Sequence, residues 1–307
     1  MPEQSPTGFS RRRFGKLAAG AGLAAVAAPL VTSGSAGAAI GKYHGPLLTA
    51  GWEEFKTAVA QGRHNLTKVV ATWGAPWDNP DFQLALANLT PYTIVRTGTG
   101  DTNSVLDPGA VVNEIRPFYQ WSTQVRPADR LIIELGNEPN LNQGTDFIQP
   151  YADSLHASID AVQANFPGVQ LCSPGIAPGG ASSYHDWFWN QRFKDAVNRC
   201  NFVGFHFYGA ETFDPVVYEI VGALTGHFPG KLWIATEYGL NYPYTGDPTA
   251  QKQAKCRAYS DMIHRNGHAD IQNLLWGATY FHIDTSSTDP LFQAYNVAPD
   301  GPVGYQP

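Results

Sequence analysis

The sequence predicts an α/β fold, a single-domain (β/α)8 TIM barrel, and three observations lead there. Short apolar runs of strand length alternate with amphipathic runs of helix length through eight cycles, the mark of parallel strands joined by crossover helices. Polar and acidic residues recur just past the apolar runs along the whole chain, whereas an open doubly wound sheet gathers them at one switch point. The Gly-rich first turn of that open alternative is also missing, since Gly98-Thr99-Gly100 is only a turn.

The first 38 residues read as an export leader outside the fold. Ser10-Arg11-Arg12-Arg13-Phe14-Gly15-Lys16 has the form of a twin-arginine signal, an Ala- and Gly-rich apolar stretch follows from Leu17 to Val31, and Ala36-Gly37-Ala38 offers small residues for signal-peptidase cleavage. That stretch, about 15 residues, is shorter than the ~20 of a membrane span. The expected organisation is a twin-arginine signal peptide over 1–38 and a barrel domain over 39–307. The mature protein is then secreted, extracellular or associated with the cell wall.

The strands expected in order are Gly45–Ala50, Leu66–Trp73, Thr93–Gly98, Leu131–Gly136, Val169–Ser173, Phe202–Tyr208, Leu232–Thr236 and Leu274–Phe281. Each is short, apolar and bounded by turn residues. Helical patterns fill the gaps at Trp52–Gln61, Ala110–Val125, Asp146–Asn165, Pro215–His227 and Thr249–Arg265. Within Asp146–Asn165, Ile148, Tyr151, Leu155, Ile159 and Val162 recur every three or four residues and mark one buried face. Beyond Phe281 the chain turns irregular and proline-rich, so the eighth helix is expected to be short or missing.

Composition removes several classes of function. The leader holds Arg11, Arg12, Arg13 and Lys16 against Glu3, so its loss makes the chain more acidic than the formal −6 of the whole. An acidic chain without a Lys/Arg cluster is a poor nucleic-acid binder. No segment after residue 39 approaches a membrane span. Cys172, Cys200 and Cys256 show no CxxC or Cys/His spacing and read mainly as buried apolar side chains. His264 and His268 flank an apparent helix end at Asn266-Gly267. No metal and no cofactor are expected, and the chain is expected to act as a monomer.

What remains is a pair of carboxylates. Glu138 follows the apolar run Leu131-Ile132-Ile133, Glu237 follows Leu232-Trp233-Ile234-Ala235, and they lie 99 positions apart. At roughly 30–35 residues per βα unit this is about three units, which lets the two face each other across the barrel mouth. That arrangement cuts glycosidic bonds: one carboxyl protonates the leaving oxygen, the other attacks or stabilises the sugar cation. Asn137 is placed to bond a sugar hydroxyl. Arg96, inside the apolar run Thr93–Thr97, must be paired, with Glu237 or with Glu134. Aromatic residues make up 12 % of the chain. Those near strand ends offer rings to sugar C–H faces: Trp73 and Trp77, Tyr238, Trp276, Tyr280, and beside them His282. The absence of Gly-x-Ser-x-Gly speaks against acyl transfer.

Asn137-Glu138-Pro139 after the fourth strand, Phe205-His206-Phe207-Tyr208-Gly209 at the sixth and Thr236-Glu237-Tyr238-Gly239 after the seventh resemble glycoside hydrolase clan A, whose members are retaining (β/α)8-barrel enzymes. In scale the chain is similar to the clan's compact polysaccharide-degrading members, including those acting on β-1,3-glucans. The resemblance implies that Glu138 is the acid/base and Glu237 the nucleophile. It also implies that Asn137 holds the substrate's 2-hydroxyl, that Tyr208 donates to Glu237, and that His206 shares their face. The expected function is therefore an exported retaining glycoside hydrolase, endo-acting, with a polysaccharide or oligosaccharide as partner. A transglycosylase sharing the covalent intermediate and a non-catalytic carbohydrate-binding barrel remain the alternatives. Sugar and linkage are open, because loops set them.

Overall fold

Eight parallel strands close into a barrel in chain order: β1 Tyr43–Leu48, β2 Leu66–Val70, β3 Tyr92–Arg96, β4 Leu131–Glu134, β5 Gln170–Cys172, β6 Phe202–Gly209, β7 Leu232–Leu240 and β8 Leu275–Tyr280. Closure is made by β1 on β8, with Tyr43 opposite Gly277 and Pro46 opposite Tyr280. The computed structural model describes residues 43–48, 66–71, 90–209, 215–240 and 273–280, with side chains omitted in 43–48 and at 209, 215–218, 239, 240 and 280. The chain divides into two units, 1–38 and 39–307, and every described residue belongs to the second.

The strands are buried on both faces, one against the helices and one inside the barrel, which is why they read as continuous apolar runs. Alternation sorts their residues. Val69, Val95, Ile133, Val203 and Trp233 join the layer under the helices, while Leu66, Ile94, Ile132, Phe202 and Ile234 fill the barrel. Trp276 belongs to this inner group, edge-on to Tyr92 at 5.0 Å and tilted on Phe202 at 4.8 Å. Expected at the substrate cleft, it instead forms the barrel floor. It stands second in β8, at the end of the barrel opposite the strands' C-termini. Tyr238, also expected at the cleft, is 1 % exposed and packs in the outer layer.

Helix α1, Pro108–Val125, starts where Asp107 accepts from the Gly109 and Ala110 amides, with Pro108 in the first turn, where a missing N–H costs nothing. Helix α2, Ile148–Asn165, buries the five residues whose spacing marked its face. Two short helices, α3 Tyr184–Trp189 and α4 Gln191–Arg199, occupy the β5–β6 connection, for which the sequence suggested no bounds. A reciprocal cap between Ser183 and Asp186 starts the first, and Asn190 both ends it and caps the second. Helix α5 covers Pro215–His227. Among the described residues no helix is long and apolar enough to cross a membrane. Strand β2 stops at Val70, short of Trp73, and β7 continues to Leu240, past Thr236. The expected helices Trp52–Gln61 and Thr249–Arg265 and the segment after Phe281 lie outside the described residues.

The loops at the C-terminal face are clamped to one another. The Asn140 amide donates to the carbonyls of Ala177 and Ser182 at 2.9 and 3.3 Å and accepts from the Ala177 amide at 3.0 Å. The Gly100 carbonyl receives both the Asn137 amide, at 2.9 Å, and the Tyr151 hydroxyl of α2, at 3.0 Å. Gly136 makes this junction possible. Its φ is +87°, and a Cβ there would stand 2.1 Å from the Tyr151 hydroxyl and 2.5 Å from the Gly100 oxygen. Gly136→Ala should therefore cost about 2–4 kcal/mol from backbone strain and overlap together. Gly222→Ala, whose Cβ would meet nothing within 4 Å on α5, should be neutral or stabilising. Urea unfolding of both variants checks this, and equal midpoints would contradict it.

Candidate active site

Above the floor the barrel interior turns polar. Lys68 of β2, Arg96 of β3, Glu134 of β4, His206 of β6 and Glu237 of β7 all point inward, and none is more than 7 % exposed. Two breaks in strand alternation complete the group. In β7 the pairing with β6 shifts between Phe205 and His206, so that Phe205 faces Ala235 but His206 faces Glu237. Thr236 is the extra residue of this bulge. Strict alternation from inward Ile234 would turn Glu237 outward; the bulge re-aims it, the usual work of such a feature beside an active site. After β4, the positive φ of Gly136 and the φ of +42° at Glu138 bring two neighbours, Asn137 and Glu138, into the same space. A non-glycine residue with that φ is strained, and its backbone is held by bonds to the Gly175 carbonyl at 2.8 Å and from the Leu141 amide at 2.9 Å.

Glu237 is gripped unevenly. Its Oε1 accepts from Arg96 Nη1 at 2.7 Å and Lys68 Nζ at 3.1 Å, and its Oε2 accepts from the Tyr208 hydroxyl at 2.6 Å. Arg96 also donates to Asn137 Oδ1 at 2.6 Å. Since arginine only donates, this contact fixes the amide orientation and turns the Asn137 NH2 group away from Arg96. The pairing question at Arg96 is thus resolved toward Glu237. Glu134 pairs with Lys68 instead, whose Nζ lies 2.7 Å from Oε2.

His206 stands between the glutamates. Its Nδ1 lies 2.8 Å from Glu138 Oε1 and 3.7 Å from Glu237 Oε2. Those two oxygens can be no further apart than the two distances laid end to end, about 6.5 Å, which is the lower edge of the separation typical of inverting glycosidases. On its other side, Nε2 faces Glu134 Oε1 at 3.9 Å, a charge contact too long for a hydrogen bond. Gly175 backs the ring, and a Cβ there would lie 2.2 Å from Nε2.

Burial alone would push the pKa of His206 down, but the charges of Glu237 and Glu138, with Glu134 behind, hold it up at about 9. Its imidazole is therefore charged at neutral pH, and Nδ1–H donates to Glu138. Burial would push Glu237 up, yet His206, Lys68 and Arg96 with the Tyr208 hydroxyl hold it well below the usual carboxylate range. Glu134 is likewise lowered against its burial, by Lys68 first and then by His206 and Arg96.

Of the residues singled out in the sequence, the structure thus brings together Glu138, Glu237, Asn137, Arg96, His206 and Tyr208. Trp73, Trp77 and His282 lie outside the described residues, and of Tyr280 only the backbone, at the end of β8, is described. Lys68 was missed. Its signal was a lysine inside the apolar run Leu66–Val70, the same reasoning that flagged Arg96. Among the described residues no cluster of His, Cys, Asp or Glu has the form of a metal site. Cys172 and Cys200 are free and buried.

A barrel of this architecture, with polar groups converging at the strands' C-terminal ends, is that of the clan A glycoside hydrolases. A family profile described as glycosyl hydrolase catalytic core matches residues 114–293, more than half of the chain, and the protein belongs to that family. No curated protein matches the sequence. Among solved structures, a calcium-binding mutant of Bacteroides uniformis β-glucuronidase 2 aligns at TM-score 0.57 and 12 % identity over 85 % of this chain. A glucosidase from Croceicoccus marinus aligns at 0.54 and 12 % over 83 %. A GH128 subgroup I endo-β-1,3-glucanase from Amycolatopsis mediterranei, a point mutant in complex with laminaripentaose, aligns at 0.53 and 15 % over 84 %. The chain spans 33 % and 63 % of the length of the first two and 97 % of the third. At these identities the likeness is one of fold.

The elevated His206 makes stability depend on pH in a defined sense. A group whose folded pKa is raised contributes fully below its ordinary value, 6.5, and loses that contribution as pH climbs through about 9. The depressed Glu237 contributes above its ordinary 4.5 and loses that contribution in acid. The melting temperature should therefore fall between pH 6.5 and 9, and His206→Gln should flatten that slope. A variant with the wild-type slope would show that His206 does not carry the charge.

Proposed function

We propose that the protein is an exported, retaining, endo-acting glycoside hydrolase that cuts a polysaccharide or oligosaccharide by double displacement. Glu237 is the nucleophile and Glu138 the acid/base. The observation that carries this reading is the single His206 Nδ1 close to both carboxylates, which keeps Glu138 Oε1 and Glu237 Oε2 within about 6.5 Å of each other. That closeness favours direct attack over an intervening water.

The hydrogen bonds divide the labour atom by atom. Oε1 of Glu237 is occupied by two cations, so Oε2 is the oxygen that attacks the anomeric carbon, with Tyr208 yielding its hydrogen bond as the new bond forms. Oε1 of Glu138 accepts from His206, so its transferable proton sits on Oε2. In the first step that proton passes to the glycosidic oxygen, the C–O bond breaks and a sugar ester forms on Glu237. In the second, the Glu138 carboxylate takes a proton from water, the water oxygen attacks the anomeric carbon, and the ester breaks. The Asn137 NH2 group, oriented by Arg96, donates to the sugar 2-hydroxyl. Inversion twice at one carbon gives net retention.

The neighbour aligned over nearly its whole length acts on a β-1,3-glucan, so laminarin heads the substrates to test. Export rests on the arginine motif and small residues within 1–38, and a monomer is the proposed state in solution. Edman sequencing of the mature protein from culture medium should begin near residue 39; a secreted chain retaining Arg11–Arg13 would refute the leader.

Glu237→Gln should abolish turnover of every substrate, whatever its leaving group. Glu138→Gln should lose polysaccharide hydrolysis yet still release an activated aryl leaving group in a burst, because such a group departs without protonation. Azide should then restore turnover and yield a glycosyl azide of retained configuration, read by NMR. A burst with Glu237→Gln but not with Glu138→Gln would reverse the roles. Wild-type product of inverted configuration would defeat the double displacement.

A further inference from the structure

Glu134 has no part in the chemistry just described, yet it is a fully buried charge in the barrel interior. It ends β4 on the approach to Glu138, lies opposite Arg96 on β3 and Cys172 on β5, and is 0 % exposed. Its Oε2 stands 2.7 Å from Lys68 Nζ, and that same ammonium reaches Glu237 Oε1 at 3.1 Å. Its Oε1 faces His206 Nε2 at 3.9 Å, and the other nitrogen of that ring reaches Glu138 at 2.8 Å. One carboxylate thus touches each of the two reacting glutamates through one intervening cation. Among the described residues neither of its oxygens finds an oriented hydrogen bond. A buried carboxylate held by charge alone is a poor source of stability, since a neutral side chain of the same volume would avoid the desolvation. Its placement calls for another explanation.

We propose that Glu134 is a positioning residue that sets the charge of the active site, acting on Glu237 through Lys68 and on Glu138 through His206. The inference rests on the reading of Glu138 and Glu237 given above. Counted with Lys68, Arg96 and charged His206, the three glutamates leave one net positive charge when Glu138 holds its proton and Glu237 is ionised. After the first step Glu138 is ionised and Glu237 is an ester, and the net charge is again one positive. Glu134 keeps the site at that value throughout. Without it the excess doubles, opposite a sugar that itself becomes cationic in the transition state, and the cations draw Glu237 away from attack.

Among the described residues, the groups facing His206 are Glu134 and Glu138 from β4 and its loop, Glu237 from β7, Gly175 beyond β5, and Tyr208 on its own strand. Of these Glu134 alone is both charged and remote from the substrate. Its removal should thus reach the reaction only through its neighbours.

The test uses the full mature chain in four forms: wild type, Glu134→Gln, Lys68→Met and the double variant. Each is assayed on a panel of 2,4-dinitrophenyl glycosides, whose leaving group needs no protonation, and on laminarin. Glu134→Gln should lower kcat on the aryl substrate about 10- to 100-fold, the scale of one unit charge at such range in a half-polar interior, with KM changed less than about threefold. The double variant, with the charge balance restored, should be faster than either single one. If Glu134→Gln does not fold, adding it to Lys68→Met should still raise kcat. NMR titration of nitrogen-labelled histidine gives a readout independent of turnover: the His206 midpoint should fall from about 9 when Glu134 is neutral. A folded Glu134→Gln with wild-type kcat and an unmoved His206 midpoint overturns the proposal, as does a double variant slower than Lys68→Met. If the wild type cleaves no glycoside, the functional reading fails first, and the NMR arm alone decides whether Glu134 governs His206.

Discussion

Burying charge inside a closed barrel is permitted only if every charge has a partner, and this constraint organises the centre of the molecule. Strands β2, β3, β4, β6 and β7 each contribute one charged side chain to the barrel interior, and the signs interlock. Lys68 is shared by Glu134 and Glu237, Arg96 by Glu237 and Asn137, and His206 lies among three carboxylates. Taking one member away leaves another uncompensated where water cannot reach it, a far larger penalty than losing a surface pair. The apolar layer beneath, closed by Trp276, keeps the local dielectric low and so keeps each contact strong.

The loops above obey a second constraint, that of holding a strained backbone. Glu138 adopts a conformation that its residue type resists, and the cost is met by neighbours: the Gly175 carbonyl, the Asn140 amide that ties two loops, and Tyr151 reaching up from α2. A side chain held this way keeps its position without help from a ligand, the preorganisation on which the proposed role of Glu138 relies.

Much of this was legible in the sequence, and the gaps have physical causes. The barrel could be read because doubly buried strands and one-faced helices leave distinct periods, as the Ile148–Val162 face shows. Glu138 and Glu237 could be singled out because each stands a few residues beyond a buried apolar run, where an unpaired acid is costly. What periodicity could not give was the direction of Glu237, which depends on a bulge at Thr236, or the turning inward of Asn137, which depends on Gly136. Helix α3 was hidden because it is six residues long and fixed by its caps, whereas α4 buries Phe193, Ala196 and Val197 at helical spacing, a stripe that was present in the sequence and was passed over. Tyr238 and Trp276 were misplaced because aromatic residues suit a sugar cleft and a core equally well. Height along the strand decides the place of Trp276 and the face of the strand that of Tyr238, and residue type reveals neither.

The contact between Gly175 and His206 has a consequence for how such a site can change over generations. Any side chain at position 175 would occupy the volume of the His206 ring edge. A chain that has His206 therefore cannot acquire a larger residue at 175 as its first step; the ring must shrink or leave beforehand. The two positions form an ordered pair in which one replacement is the precondition of the other. Random substitution at both together should recover combinations that neither site tolerates singly, and the present pairing is entrenched by geometry as well as by chemistry.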